Sequence, residues 1–193
     1  QPDLNALLRR ELFNAGRVLA QDRRQRGRKL YSLPAPEVEC IGKGKARAPY
    51  EFGVKVSIVT TNACSPGGQF VLHAAALPGN PYDGHTLRTA IEDTQRLTGR
   101  QIERVYVDKG YRGHDAPKPR RVFISGQKRG VFGAIKRELR RRSAVEPLIG
   151  HMKEQGHLGR CYLKGHAGDA ANATLTAAGY NFRRILAWLR IFL

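Results

Sequence analysis

The segment IERVYVDKGYRG, residues 102–113, determines how we interpret the fold. Its first half, from Ile102 to Val107, is short, β-branched and apolar, as in a strand that is buried on both faces. The chain then breaks at once into a glycine-containing loop, so Asp108 lies at the carboxyl end of the strand. Open α/β sheets place functional groups at such ends, because the strand fixes the backbone while the loop leaves the side chain free. Asp108 is therefore the first candidate for a catalytic residue.

The pattern upstream of this strand predicts further β structure and one helix. Two β-like stretches, starting at Tyr50 and at Gly68, flank the breaker cluster CSPGG and predict a hairpin. A helix is expected from about Thr86 to Leu97, and Asp83 is placed to cap it. The chain is long enough for one domain with a hydrophobic core.

The two ends of the chain have helical patterns. Residues 1–29 alternate apolar and basic positions at spacings of three and four and end in QDRRQRGRK, which favours an amphipathic helix with a solvated or DNA-contacting end. After a short strand in VFIS, the pattern is helical from about Ala134 to Gln155, with Pro147 as an interruption. A final helix covers roughly Gly168 to the C-terminus. The fold class is therefore a mixed α/β domain.

The charge of the chain points to a polyanionic partner. It has 34 Lys and Arg residues against 16 Asp and Glu residues, a formal net charge of +18. No apolar run reaches the roughly 20 residues of a membrane-spanning helix, and the amino terminus lacks the apolar core of a secretory signal, so we expect a cytoplasmic protein. Three widely spaced cysteines without a CxxC pair indicate neither a disulfide framework nor a zinc site. Composition alone leaves ribosomal proteins, nucleases and transcription factors open.

A second candidate carboxylate lies in the basic helical segment RRRSAVEPLIGHMK. Arg142, Glu146 and Lys153 share one helical face there, so a carboxylate is flanked by two cations. Together with Asp108, this carboxylate could hold Mg²⁺ through oxygen ligands, while the cations hold phosphates. The alternative is a set of surface ion pairs worth well under ~1 kcal/mol, with Asp108 merely forming the turn before Gly110.

Six segments, in this order, carry a family resemblance: SLPAPEVECIGKGKARAPYEFGVKVSI, LPGNPYDGHTL, VYVDKGYRGHDAP, VFISGQKRG, RRRSAVEPLIGHMK and GDAANATLTAAGYNFRR. They resemble the transposases of bacterial insertion sequences with a DDE active site, in the IS4/IS5-like group. The resemblance covers almost the whole chain beyond residue 30. It implies an RNase H-like mixed sheet with packed helices, in which two aspartates and a glutamate bind two Mg²⁺ (or Mn²⁺) ions for hydrolysis and strand transfer at the transposon ends.

The resemblance also assigns residues. Asp108 matches the second aspartate and Glu146 the glutamate, with Arg142 and Lys153 in the signature around it, whereas the tyrosine that usually opens that signature would fall at Leu139. Asp83, in the shared motif NPYDGHTL, is either a helix cap or a further metal ligand.

The remaining implied contacts are to DNA. Arg142, Lys153, Arg112, Lys128 and Arg129 are the expected DNA-binding residues, and Tyr111 is also placed to follow a DNA backbone. The implied partner is double-stranded DNA, at the transposon ends and the target, in the bacterial nucleoid, with a homo-oligomer formed on it.

The first aspartate of the family has no counterpart in this sequence. Residues 1–30 resemble part of a basic helical insert that follows the first strand, and residues 31–193 the carboxyl-terminal part of the catalytic domain. We therefore expect the first strand and its aspartate outside the chain, and little activity from residues 1–193 alone. Two alternatives stay open: a catalytically dead DNA-binding remnant of a decayed transposon, and an RNA- or ribosome-binding basic protein.

Overall fold

The computed structural model describes residues 4–43, 46–63, 68–119 and 121–190. Within these ranges the chain forms five helices and six short strands, in this order: α1 Leu4–Ala20, β1 Glu39–Gly42, β2 Tyr50–Gly53, β3 Lys55–Thr60, β4 Val71–Leu77, α2 Leu87–Thr98, β5 Arg104–Val107, β6 Arg121–Ile124, α3 Gly133–Arg141, α4 Val145–Gln155 and α5 Gly165–Leu189. Short 3₁₀ turns precede α2 and α4 and follow β5. The mixed α/β class is confirmed.

The strands form three separate two-stranded sheets. The predicted hairpin is confirmed as the antiparallel pair β3–β4, and β5 and β6 pair in parallel. The β-like stretch from Tyr50 is not one strand, however, because it divides at Gly53 between two sheets. Gly53 has a φ of 145°, which residues with a side chain rarely adopt, and β2 pairs with β1 rather than continuing into β3. The sequence did not predict β1.

Helix α2 packs through the predicted face, except at one of the predicted residues. Leu87, Ile91 and Thr94 are buried as expected, but Leu97, in the last turn, is 62% exposed. The cap at its amino terminus comes from the loop after β5, where Oδ1 of Asp115 accepts a hydrogen bond from the Arg88 backbone N–H at 2.8 Å.

The carboxyl-terminal helices depart from the predicted interruption at Pro147. The break lies earlier, in the 3₁₀ turn Arg142–Ala144, and Pro147 is the third residue of α4. In the first turn of a helix a proline removes an N–H that has no intrahelical partner, so it does not disturb the helix. Helix α5 starts at Gly165, whose N–H is bound by the Glu37 carboxylate at 2.6 Å.

Helix α1 ends before the arginine-rich segment, so the expected helical end over QDRRQRGRK is wrong. Residues after Ala20 are irregular, and the Gln21 side chain closes the segment by bonding both backbone groups of Leu30. In the described part of the chain, no helix is both long enough and apolar enough to cross a membrane.

Buried apolar residues form two clusters. One joins α4 and α5 to β4 through Val71, Leu148, Met152, Ala177 and Tyr180. The other joins α2 to β5 through Leu87, Ile91 and Val107. An open cleft lies between them and leads to the carboxyl end of β5.

Candidate active site

Asp108 lies at the carboxyl end of β5, as predicted. Its side chain precedes the 3₁₀ turn Lys109–Tyr111, and Oδ1 accepts a hydrogen bond from the Gly110 N–H at 2.9 Å. Asp108 thus forms the turn that the alternative interpretation expected. Forming this turn does not use the whole carboxylate, because Oδ2 faces Arg142 instead.

Asp83 lies next to Asp108, on the other side of Gly110. A methyl group on Gly110 would come within 2.6 Å of Asp83 Oδ2 and 3.1 Å of Asp108 Oδ1, so the two carboxylates border the same small space. The other Asp83 oxygen pairs with the Lys55 ammonium at 3.0 Å, and Lys55 also donates to the Pro81 carbonyl at 2.7 Å. In the described part of the chain, Asp115 caps α2, and the Asp83 carboxylate binds Lys55 instead. The predicted capping role of Asp83 is therefore wrong.

The pKa of Tyr111 is affected by the negative charges of both carboxylates. Its ring packs on Leu87, Ile91 and Val107, so it belongs to the core rather than to a DNA-contacting surface. Burial raises the pKa of the Tyr111 hydroxyl, and the charges of Asp83 and Asp108 raise it further. The Tyr111 hydroxyl therefore lies close enough to both carboxylates to be affected by their charges.

Arg142 is brought to Asp108 by the anchoring of α3 on the β3–β4 hairpin. Asn62, after β3, donates to the Glu138 carbonyl at 2.9 Å, and the Arg141 guanidinium donates back to the Asn62 carbonyl at 3.0 Å. These bonds hold the carboxyl end of α3 against the hairpin. As a result, the Arg142 side chain is only 19% exposed, and its guanidinium lies 3.5 Å from the Asp108 carboxylate.

Glu146 lies one turn after Arg142, at the amino end of α4. Its side chain is exposed, and the described residues include no contact between Glu146 and Asp108 and no group of three His, Cys, Asp or Glu residues able to hold a metal. The two carboxylates that the structure brings together are Asp83 and Asp108. The pairing of Glu146 with Asp108 across a cleft stays a prediction.

Lys153 is engaged by a carboxylate from another part of the chain. Its ammonium lies 2.8 Å from Glu51 on β2, and Glu51 also pairs with Lys43. Burial opposes the ionisation of Glu51, but the hydrogen bonds from Lys153 and Lys43 outweigh it and lower the pKa of this carboxyl. The alternative interpretation, a set of surface ion pairs among Arg142, Glu146 and Lys153, is therefore wrong. Arg142 pairs with Asp108, and Lys153 pairs with Glu51.

The other predicted DNA-binding residues lie on the surface. Arg112, Lys128 and Arg129 are exposed and form no ion pair among the described residues. Helix α3 adds exposed cations that sequence reasoning did not single out: Lys136, Arg137 and Arg140. Their signal was the run IKRELRRR, in which five cations and one acid lie within eight successive positions. Lys55 was also missed, because a lysine in an alternating strand is typical of a solvated face.

The site opens into a cleft of about 730 Å³ between β3 and β5. Asp83, Asp108 and Arg142 line it at one end, and Glu138 and Arg141 line it at the other. At this second end Glu138 pairs with Arg104 at 3.2 Å and accepts a hydrogen bond from the Tyr106 hydroxyl. Burial and then Glu138 raise the pKa of Tyr106 to about 12, so this hydroxyl keeps its proton.

Comparison with known families gives a match in the carboxyl-terminal part of the chain. The family model described as the transposase DDE domain matches residues 127–186. This range contains Lys128, Arg129, Arg142, Glu146 and Lys153, whereas Asp83, Asp108 and Arg112 precede it. Searches among curated proteins and solved structures find no match. Residues 127–186 are thus similar to a transposase DDE domain, a likeness that covers less than half of the chain and supports a DDE transposase.

Proposed function

We propose that this chain is part of a DNA transposase of a bacterial insertion sequence, which cleaves and joins DNA strands at the ends of the element. The observation that carries the proposal is that Arg142, from the matched segment, contacts Asp108, the strand-end carboxylate that precedes the matched segment. Two independent arguments, the strand-end position and the family match, thus lead to one place in the molecule.

The donor set at this place suits a hard divalent cation. Mg²⁺ is commonly held by one or two carboxylates together with water and substrate phosphate oxygens. Asp83 and Asp108 supply two carboxylates around one small space. Asp83 pairs with Lys55 and Asp108 with Arg142, and a bound divalent ion would compete with these cations for the carboxylates. We propose that Asp108 and Asp83 hold Mg²⁺ or Mn²⁺, with Glu146 as the further ligand.

The protein side chains would position the DNA. Arg142 and Lys153 contact the phosphates next to the scissile bond, and Arg112, Lys128 and Arg129 bind the backbone further along. A water molecule or a 3′-hydroxyl attacks the phosphodiester in line. When bound, the metal ions activate this nucleophile and stabilise the leaving oxygen. The half-buried Tyr111 helps to exclude water from the far side of the carboxylate pair.

The proposed fold is RNase H-like, with the first strand and its aspartate supplied from outside residues 1–193. Support comes from the antiparallel hairpin β3–β4, followed by α2 and the parallel pair β5–β6. We further propose that the complete protein acts as a homo-oligomer on double-stranded DNA.

The direct test is a cleavage assay with the full-length protein on DNA that carries the element's ends, with Mg²⁺ or Mn²⁺. We expect Asp108→Asn and Glu146→Gln each to abolish strand cleavage and to leave DNA affinity nearly unchanged, because binding depends on many Lys and Arg contacts. Glu154→Gln, also on α4, is the matched control and should cleave normally. Cleavage that survives Glu146→Gln would remove Glu146 from the site. DNA binding without any cleavage by the unmodified protein would instead identify a catalytically dead remnant.

A further inference from the structure

We propose that the outer face of the β1–β2 hairpin binds the unpaired bases of single-stranded DNA, which stack on three aromatic side chains. These side chains, Tyr31, Tyr50 and Phe52, form what we call the aromatic face. The inference goes beyond the proposed function, in which duplex DNA is held through its phosphates, and it rests on that function only for the choice of DNA over RNA. Its tests measure binding, so their outcome is separate from that of the cleavage assay.

The strand pattern of β2 places Tyr50 and Phe52 on one side of the hairpin. The two residues are two positions apart, and such side chains point to the same face of a strand. Glu51, between them, points to the opposite face, where it binds Lys153 of α4 at 2.8 Å. The hairpin therefore contacts α4 through the face of Glu51 and turns the two aromatic side chains outward.

Tyr31 joins this face from the segment before β1. Its ring packs on Phe52, with ring centroids 5.4 Å apart and planes inclined at 49°. The Tyr31 hydroxyl interacts with the side chain of Cys40, which pairs with Phe52 across the hairpin. The preceding residue, Leu30, is fixed because the Gln21 side chain bonds both of its backbone groups. The aromatic face is thus held in place by contacts from two segments of the chain.

The three rings offer a large open surface. Tyr31 is 41% exposed, Phe52 59% and Tyr50 62%. In the described part of the chain, no other aromatic ring packs on Tyr50. Aromatic side chains gain much from burial, and contiguous exposed apolar surface marks a binding site. The aromatic face is therefore available to a flat apolar ligand.

The spacing along β2 suits a nucleic-acid base. Residues two apart on a strand are separated by about 6.4–6.8 Å, which is about twice the 3.4 Å spacing of successive bases in a DNA strand. One base can therefore enter between the side chains of Tyr50 and Phe52. Gly42, which pairs with Tyr50, leaves room for it, since even a methyl group there would meet nothing within 4 Å.

Cations flank the aromatic face along the chain on both sides. The segment QDRRQRGRK, residues 21–29, ends two residues before Tyr31, and all of its arginines are exposed. On the other side, Arg47 is exposed three residues before Tyr50. Proteins that bind single-stranded nucleic acids combine positive charge, which follows the phosphates, with aromatic rings on which the bases stack. The surroundings of the aromatic face have both components.

The acidic residues near the hairpin are bound by other groups. Glu37 accepts a hydrogen bond from the Gly165 N–H, and Glu39 accepts one from the Gly79 N–H, each at 2.6 Å. Glu51 is neutralised by two lysines on the opposite face. Each of these carboxylates thus has a partner of its own. The local charge favours a polyanion with flat bases over a basic or purely apolar partner.

A comparison of two single strands with the same charge tests the proposal directly. The probes are a fluorescent oligodeoxythymidine of about 12 nucleotides and an abasic strand of the same length. Both are titrated with the full-length protein in EDTA, which prevents cleavage. We expect the strand with bases to bind at least about tenfold more tightly, because stacking needs the bases. Equal affinities would overturn the proposal, and tighter binding of the matching oligouridine would contradict the choice of DNA.

Substitutions separate ring stacking from general apolar or ionic contact. Tyr50→Phe keeps the ring and should bind the oligodeoxythymidine normally. Tyr50→Leu and Phe52→Leu should each weaken this binding at least about fivefold and leave the abasic strand and duplex DNA unaffected. Phe182→Leu is the matched control, because Phe182 is similarly exposed, at 66%, on α5. Circular dichroism establishes that the variants fold.

Two results with these variants would overturn the proposal. One is normal oligodeoxythymidine binding by a folded variant that carries both Tyr50→Leu and Phe52→Leu. The other is an equal loss of affinity for duplex DNA, which would mean that the hairpin contacts only the phosphate backbone.

Photo-crosslinking locates the bound bases without any substitution. An oligodeoxythymidine that carries iododeoxyuridine is irradiated in complex with the unmodified full-length protein, and the attached peptides are identified by mass spectrometry. We expect the peptides to contain Tyr31, Tyr50 or Phe52. Crosslinks confined to other parts of the chain would place the bases elsewhere and overturn the proposal.

Discussion

The Arg142 guanidinium lies 3.5 Å from the Asp108 carboxylate, although the two residues belong to different parts of the chain. Asp108 ends a strand of the β5–β6 pair, and Arg142 lies in the helical turn before α4. Their contact brings the matched family segment to the carboxyl end of β5, where Asp83 also lies.

This contact predicts the effect of Arg142 on metal binding. Arg142→Ala removes a positive charge beside the carboxylate pair, so it should strengthen the binding of Mn²⁺ by a few-fold, on the order of 1 kcal/mol or less at a hydrated site. In the full-length protein the same variant should cleave DNA more slowly, because the phosphate contact is lost. Arg140→Ala, an exposed cation on α3, is the control. Mn²⁺ titration followed by electron paramagnetic resonance measures the change, and weaker binding by Arg142→Ala would contradict it.

Gly110 determines how closely Asp83 and Asp108 can approach one another. A methyl group there would meet Asp83 Oδ2 at 2.6 Å, so Gly110→Ala must displace that carboxylate. We expect at least several-fold weaker Mn²⁺ binding. Gly150→Ala on α4 is the control, since its methyl group meets nothing within 4 Å. The control should leave metal binding unchanged and raise the free energy of unfolding by roughly 0.5–1 kcal/mol. Unchanged Mn²⁺ affinity in Gly110→Ala would show that Asp83 is not a ligand of the metal ion.

The pair between Glu51 and Lys153 predicts that DNA binding is restrained by an internal carboxylate. Glu51→Gln frees Lys153 and Lys43, so it should raise DNA affinity several-fold and steepen the salt dependence by about one counterion. Glu92→Gln removes the same charge from an exposed position that pairs with no cation in the described chain, and it should have a smaller effect. Fluorescence anisotropy with a short duplex measures both, and equal effects of the two variants would mean that only net charge matters.

The same pair predicts a dependence of stability on pH. The pKa of Glu51 is lower in the folded chain than its ordinary value of 4.5. The stabilisation is therefore fully present above about pH 4.5 and is lost as the pH falls through the lower folded value. Urea unfolding should show the unmodified chain to be more stable than Glu51→Gln at neutral pH, with the difference disappearing in acid. A difference that is independent of pH would contradict this prediction.

The net charge of +18 predicts binding to duplex DNA with little sequence preference. With six to ten phosphate contacts, the affinity should fall on the order of 10³–10⁵-fold between about 50 and 200 mM salt. Titrations of residues 1–193 with unrelated duplexes at several salt concentrations measure this fall. An affinity that does not change with salt would rule out a surface that follows the phosphate backbone.

The sequence by itself determined the local elements and the excess of positive charge. The apolar run before Asp108 forms β5, the stretches around CSPGG form the β3–β4 hairpin, and the pattern after Ala134 forms helices. Such patterns can be predicted because periodicity and turn residues act over a few neighbouring positions. The excess of Lys and Arg likewise needs no coordinates.

Only the tertiary structure decided which charged groups meet. Asp83 pairs with Lys55 and borders Asp108 instead of capping α2, while Asp115 caps that helix from a distant loop. Lys153 pairs with Glu51, which is distant in the sequence, rather than with Glu146, the helical neighbour that its spacing suggested. The physical reason is that a charged side chain takes the partner that packing brings within about 4 Å, and the backbone pattern around it contains no information on residues far along the chain.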